Sequence, residues 1–128
     1  MKVLLDTHLL LWAAGQPQRL PRQTRTLIDD PRTELFFSPA SLWEIVIKRG
    51  LARPDFQVDA RLLRRGLLDN GYHELPINGD HVVAIESLPP IHKDPFDRVL
   101  VAQAAVESIT LLTADSMLSR YTAPIQVI

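Results

Sequence analysis

A chain of 128 residues with 46% hydrophobic and 23% charged content holds enough apolar material for one core and is too short for two comfortable ones. It contains no cysteine, which excludes a disulfide framework and a thiolate metal site, and no run approaches the roughly 20 apolar residues of a membrane span, because Asp6 and His8 break the signal-like N-terminus. The expectation is a single domain over residues 1–128, cytoplasmic and without membrane association; the net charge of −1 neither supports nor excludes nucleic acid, since setting aside the four candidate site carboxylates discussed below takes it to +3.

Val3 to Leu5 are a short continuous apolar run ending in Asp6, the pattern of a strand buried on both faces of a parallel sheet. From Thr7 the spacing predicts a helix to about Ala14, stopped by Gly15 and Pro17. Pro21 to Asp30 read as a polar helix with Leu20, Thr24, Leu27 and Ile28 on its inner side, and Glu34 to Phe37 as a second strand. Ser38-Pro39 is a strong helix start, a capping residue followed by proline at the first helical position. That helix, to about Arg49, is expected to bury Leu42, Trp43, Ile45 and Val46 and to end at Gly50. Asp59 to Asn70 predict a further helix with Leu62, Leu63 and Leu67 inward and Arg61, Arg64 and Arg65 outward.

His73 to Ile77 are expected to form a third strand, followed by a helix from Asp80 to about Leu88. Asp94-Pro95 repeat the capping pattern and open a helix through Glu107 so apolar that it belongs in the middle of the fold. Thr110 to Leu112 read as the fourth strand, Asp115 to Arg120 as a short helix, and Gln126 to Ile128 as the closing strand. Strands alternating with helices imply an α/β fold: three α/β/α layers around a central, mainly parallel sheet of four to five strands.

Open α/β sheets bind ligands at the carboxyl ends of their strands, where the chain order reverses. Asp6 directly follows the first strand and Asp115 the fourth; Glu44 lies about two turns into the helix after the second, and Asp97 one turn into the central helix. Each acid alone has a structural explanation: Asp6, Asp94 and Asp115 are good helix caps, Asp97 complements a helix dipole, and Glu44 sits four residues before Lys48. Taken together, four acids near one sheet edge repel one another unless a cation neutralises them. Oxygen ligands favour Mg²⁺ or Mn²⁺, and such an ion assists hydrolysis of a phosphodiester without a covalent protein intermediate.

The segments LLDTHLLLWA, SLWEI, HKDPFDRVLVAQA and LLTAD resemble the PIN-domain nucleases, and within them the VapC toxins of toxin–antitoxin pairs; the likeness runs from Met1 to the last strand. The resemblance implies an Mg²⁺- or Mn²⁺-dependent endoribonuclease acting on RNA, a cognate antitoxin that blocks the acidic hollow, and self-association as a dimer through apolar helical faces. It places the family's four acids on Asp6, Glu44, Asp97 and Asp115. Asp6, Asp97 and Asp115 would hold metal, and Glu44 would orient or deprotonate the attacking water. Asp94 is the neighbouring candidate for the third acid; aligning VLVAQA with the family's apolar helix selects Asp97 and leaves Asp94 as cap or supporting acid. The hydroxyls of Thr7 and Thr113 would orient these carboxylates.

Other residues carry weaker signals. His8 and His92 flank motif acids but lack a second histidine at metal spacing, so they read as packing or surface hydrogen bonds. Trp12 and Trp43 read as core or interface, and Arg61, Arg64 and Arg65 as a solvated helix face. Lys93 and Arg98 are candidate phosphate contacts that also serve to balance neighbouring acids. A receiver-type phosphorylation switch fits poorly, because Asp6 has no acidic neighbour and the last lysine is Lys93; a DxD phosphatase fails at His8. A binding domain with vestigial acids and an RNA-processing nuclease of the same fold stay open.

Overall fold

The computed structural model describes residues 1–51 and 57–128. In chain order these form β1 (Lys2–Leu5), α1 (Thr7–Gly15), α2 (Arg22–Asp29), β2 (Glu34–Phe37), α3 (Pro39–Gly50), α4 (Ala60–Asp69), β3 (His73–Glu74), α5 (Gly79–Glu86), α6 (Pro95–Glu107), β4 (Thr110–Thr113) and β5 (Ile125–Val127), with 3₁₀ turns at Pro17–Arg19 and Ser116–Arg120. The sheet order is β3-β2-β1-β4-β5 and every neighbouring pair is parallel. The chain therefore winds outward from β1 to β3, crosses back, and continues through β4 to β5. Its direction of winding reverses between β1 and β4, which opens a crevice at their carboxyl ends.

Alternation along the central strands explains why they read as unbroken apolar runs. Val3 and Leu5 of β1, Phe37 of β2 and Leu112 of β4 pack with Leu9 and Leu10 of α1 and Leu67 of α4, with Leu27 and Ile28 of α2 against them. Leu4 and Leu111, which are register partners, face the other way onto Leu100, Val101 and Ala104 of α6. Each fully buried leucine contributes about 1.5–3 kcal/mol. The helix α3 bridges the layers: its Ala40 belongs to the α6 side while Leu42 packs on the α1 side, and it touches α1, α4 and α6. Among the described residues no helix is long and apolar enough to cross a membrane.

Three expectations are corrected. In α3, Trp43 and Val46 are 62% and 55% exposed, and the inward face is instead Ala40, Ser41, Glu44 and Ile45. In α4, Leu62 points outward at 64% exposure, leaving Leu63 and Leu67 to face the core. The strand expected over His73 to Ile77 has only two residues: the Leu75 N–H still donates to Phe37 O at 2.8 Å, but Pro76 has no N–H to continue the ladder. The carbonyls of Leu75 and Pro76 are taken instead by the buried Gln103 amide of α6, at 3.0 and 3.5 Å.

This layering predicts a sharp contrast between two leucines. Leu4→Ala is expected to lower the unfolding free energy by about 2–5 kcal/mol, and Leu62→Ala to change it by less than about 0.5 kcal/mol, both measured by urea denaturation. A comparable loss at the two positions would refute the assignment of faces.

Candidate active site

The acids after β1 and β4 are fixed by the helices that start there. Asp6 is the N-cap of α1: its Oδ1 accepts the Leu9 N–H at 2.9 Å, and its own N–H donates to Leu112 O across the β1–β4 seam. Its second oxygen accepts the Thr113 hydroxyl at 2.6 Å. Asp115 caps the 3₁₀ turn that follows β4, with Oδ1 accepting from Met117 N–H at 2.9 Å and its own N–H donating to Thr113 Oγ1 at 3.0 Å. Asp94 is the N-cap of α6, accepting from Phe96 N–H at 2.8 Å and Asp97 N–H at 3.4 Å through one oxygen. The capping role and the crevice position are thus held by the same side chains.

Asp6, Glu44, Asp94, Asp97 and Asp115 line one hollow of about 470 Å³, together with Thr7, His92 and Ala114. Its remaining wall is His8, Trp12 and Lys48. Glu44 is buried at 7% exposure on the inward face of α3, and its Oε2 pairs with Lys48 Nζ at 2.9 Å. Burial pushes the Asp6 carboxyl above its ordinary value, opposed by the Thr113 hydroxyl and the Leu9 amide. Asp97 is pushed up to about 7, first by burial and next by the Asp94 carboxylate, with Glu44 and Asp6 adding to the rise and His92 opposing it. Asp97 therefore feels three other carboxylates of the hollow.

His92 is the residue that sequence reasoning set aside and the fold brings in. Its Nε2 lies 2.9 Å from Asp115 Oδ2 and 3.4 Å from Asp97 Oδ2, and its Nδ1 accepts the Asp94 N–H at 3.0 Å. The sequence did hold a signal: a histidine two residues before an Asp-Pro helix start can accept that helix's capping amide. The Thr113 hydroxyl donates to Asp6 at 2.6 Å, whereas the Thr7 hydroxyl donates to Ser41 Oγ at 2.9 Å and so ties α1 to α3 rather than touching a carboxylate. The guanidinium of Arg98 is not directed at the hollow. It donates to the carbonyls of Ile85, Leu88, Pro89 and His92 at 3.2–3.5 Å, satisfying the end of α5 and the loop beyond it. Lys93 is exposed. Arg61, Arg64 and Arg65 are exposed on α4, with Arg64 paired to Glu74 at 2.7 Å. Trp12 lies under the Arg19 guanidinium at 4.8 Å, and exposed Trp43 meets Phe96 edge-on at 5.2 Å.

The donor set is carboxylate oxygen, which suits Mg²⁺ or Mn²⁺ better than zinc. The charge state fits as well. A hollow in which burial raises Asp6, and burial with carboxylate repulsion raises Asp97, toward protonation is one in which a divalent cation takes over the proton's neutralising role.

The profile described as PIN domain matches residues 3–124. No curated protein sequence matches the chain significantly. Solved structures similar to it include VapBC2 from Rickettsia felis bound to a DNA fragment from its promoter, with a TM-score of 0.73 at 12% identity over 100% of this chain and 99% of the other. VapBC-1 from nontypeable Haemophilus influenzae gives a TM-score of 0.65 at 15% identity, covering 99% and 98%. VapBC-5 from Mycobacterium tuberculosis gives 0.60 at 19% identity, covering 99% and 97%.

The raised proton affinity of Asp97 makes stability of the metal-free protein depend on pH. Between the ordinary value of 3.8 and about 7, the folded chain holds a proton that the unfolded chain has released. This group's contribution is therefore most favourable at acid pH and declines as pH rises through about 7. Asp97→Asn is expected to be more stable than the parent by about 1–3 kcal/mol at pH 8, solvent screening this partly exposed group, with the difference vanishing near pH 4. Urea melts of both proteins in EDTA at the two pH values test this; parallel pH profiles would contradict it.

Proposed function

This chain belongs to the PIN-domain family, and we propose that it is a divalent-metal-dependent endoribonuclease acting as the toxin of a toxin–antitoxin pair. One observation carries the reading: carboxylates from four separate segments, after β1, in α3, in α6 and after β4, line a single hollow at the point where the sheet's winding reverses. A receiver switch or a phosphatase needs an acidic neighbour that Asp6 lacks, whereas a metal-dependent nuclease needs this convergence. Members of the family are typically metal-dependent nucleases.

Asp6, Asp97 and Asp115 are the residues proposed to hold Mg²⁺ or Mn²⁺. When bound, the ion supplies positive charge at the phosphodiester and acidifies a water. Thr113 keeps Asp6 aimed by its 2.6 Å hydrogen bond. Asp94 anchors the first turn of α6 and with it the position of Asp97. Glu44, held against Lys48 and shielded from solvent, orients the attacking water or takes its proton. Arg98 is left out of the substrate contacts, since its guanidinium is occupied by backbone carbonyls; Lys93, exposed between two lining residues, is the remaining phosphate candidate. The similar structures are VapBC complexes, which supports an antitoxin partner for this chain. The exposed Trp43, Val46 and Ile47 on the outer side of α3 give an apolar face suited to self-association.

Incubating the purified chain with RNA in Mg²⁺ or Mn²⁺ is expected to yield cuts that EDTA abolishes. Asp97→Asn is expected to lower the cleavage rate by more than about a hundredfold with the fold intact. Undiminished cleavage by that variant would overturn the site assignment. Expression is expected to arrest growth, and the same substitution to relieve it; arrest that persists would detach the toxin reading from the chemistry.

A further inference from the structure

We infer that His92 is the positioning residue of this hollow: a hydrogen-bond donor that holds Asp115 against Asp97 for the metal ion without itself being a ligand. The inference rests on the metal-binding reading above and extends it to a residue outside the four acids. Nδ1 accepts the Asp94 N–H at 3.0 Å, so it must carry a lone pair and not a hydrogen. That contact assigns the ring hydrogen to Nε2, the atom 2.9 Å from Asp115 Oδ2 and 3.4 Å from Asp97 Oδ2. A ring nitrogen that bears hydrogen has no lone pair to give a cation. His92, Asp97 and Asp115 bring ligand-type atoms within 4.8 Å of one another, yet the Asp94 amide makes the histidine a donor to the acids rather than a third ligand.

The imidazole is aimed by its surroundings. The His92 N–H donates to the hydroxyl of buried Tyr121 at 2.9 Å, and its carbonyl accepts from Arg98, which also gathers the carbonyls of Ile85, Leu88 and Pro89. The loop before α6 is thus fixed at the residue that bears the ring. Asp115 gains most from this. Its side chain is 41% exposed, against 20% for Asp97 and 9% for Glu44. An acid so open to solvent is oriented by its hydrogen bonds rather than by packing. Met117 N–H holds one oxygen and His92 the other, leaving the remaining lone pairs directed by two fixed donors.

Two substitutions separate the two ends of the ring. In His92→Asn the carboxamide oxygen can still accept the Asp94 N–H two residues on, as asparagine does in turns, but nothing reaches Asp115. In His92→Gln the longer carboxamide carries an N–H to about the position of Nε2. Mn²⁺ binding to the full chain, measured by titration calorimetry, is expected to weaken about 10–100-fold in H92N and to stay within about threefold of the parent in H92Q, with thermal melts of the metal-free proteins unchanged. Nitrogen NMR of the metal-free parent is expected to show His92 hydrogenated at Nε2. Parental Mn²⁺ affinity in H92N, affinity in H92Q as poor as in H92N, or hydrogen at Nδ1 would each overturn the inference. A parent chain that binds no Mn²⁺ would overturn the metal-binding reading and this one with it. Tight parental binding that H92N leaves untouched would overturn this one alone.

Discussion

A single hydroxyl joins the two halves of this molecule's crevice. Thr113 Oγ1 donates to Asp6 Oδ2 at 2.6 Å and accepts the Asp115 N–H at 3.0 Å, so one side chain at the end of β4 sets the carboxylate after β1 and the backbone before the 3₁₀ turn. The partners in the first bond are 107 residues apart in sequence and both are buried. A carboxylate removed from water without donors costs several kcal/mol. Asp6 accepts from the Thr113 hydroxyl and the Leu9 amide, and its proton affinity is still raised. The hydrogen bonds offset only part of the desolvation, and the remainder is a standing attraction for positive charge.

The same economy of side chains recurs around the hollow. Asp6 and Asp115 each direct one oxygen to a helix-start amide and the other to a side chain of the crevice, while Asp94 caps α6 through one oxygen. Reading such a residue as either a cap or a site acid poses a false choice. A helix N-terminus brings amides and a favourable dipole to a carboxylate, and a doubly wound sheet gathers helix N-termini at one edge. Acids that cap helices there are brought together by the topology itself.

Contacts around the start of α6 hold that end of the hollow in place. Arg98 draws together carbonyls at the end of α5 and in the loop beyond it, Tyr121 fastens the His92 amide from the core, and Asn78 and His81 form a reciprocal cap at the start of α5. The buried His81 also reaches Glu107 at the end of α6 at 2.9 Å, so α5 and α6 are linked at both ends of their contact. A cluster of repelling acids keeps a defined geometry only on a frame that does not yield, and these contacts supply one.

Local physics made much of this legible in the sequence. The runs Val3 to Leu5 and Glu34 to Phe37, the Ser38-Pro39 and Asp94-Pro95 starts, and the alternation of strand and helix gave element types and a parallel sheet because each signal acts within a few residues. Four acids at strand ends and helix starts pointed to one edge for the same reason. The orientation of helix faces was decided in three dimensions. Hydrophobicity placed Trp43 and Val46 inside α3, yet that helix turns Ser41 and Glu44 inward because its buried side borders a charged hollow instead of a uniform core. The early end of β3 follows from Pro76, which has no N–H for the ladder, whereas the partner of the carbonyls left there, the Gln103 amide, arrives only by folding from α6. The place of His92 and the withdrawal of Arg98 depended likewise on partners brought near by folding, Asp115 for one and the carbonyls at the end of α5 and beyond it for the other. Hydrogen bonds between distant segments are satisfied only where the backbone carries donor to acceptor, and pattern along a chain does not encode that distance.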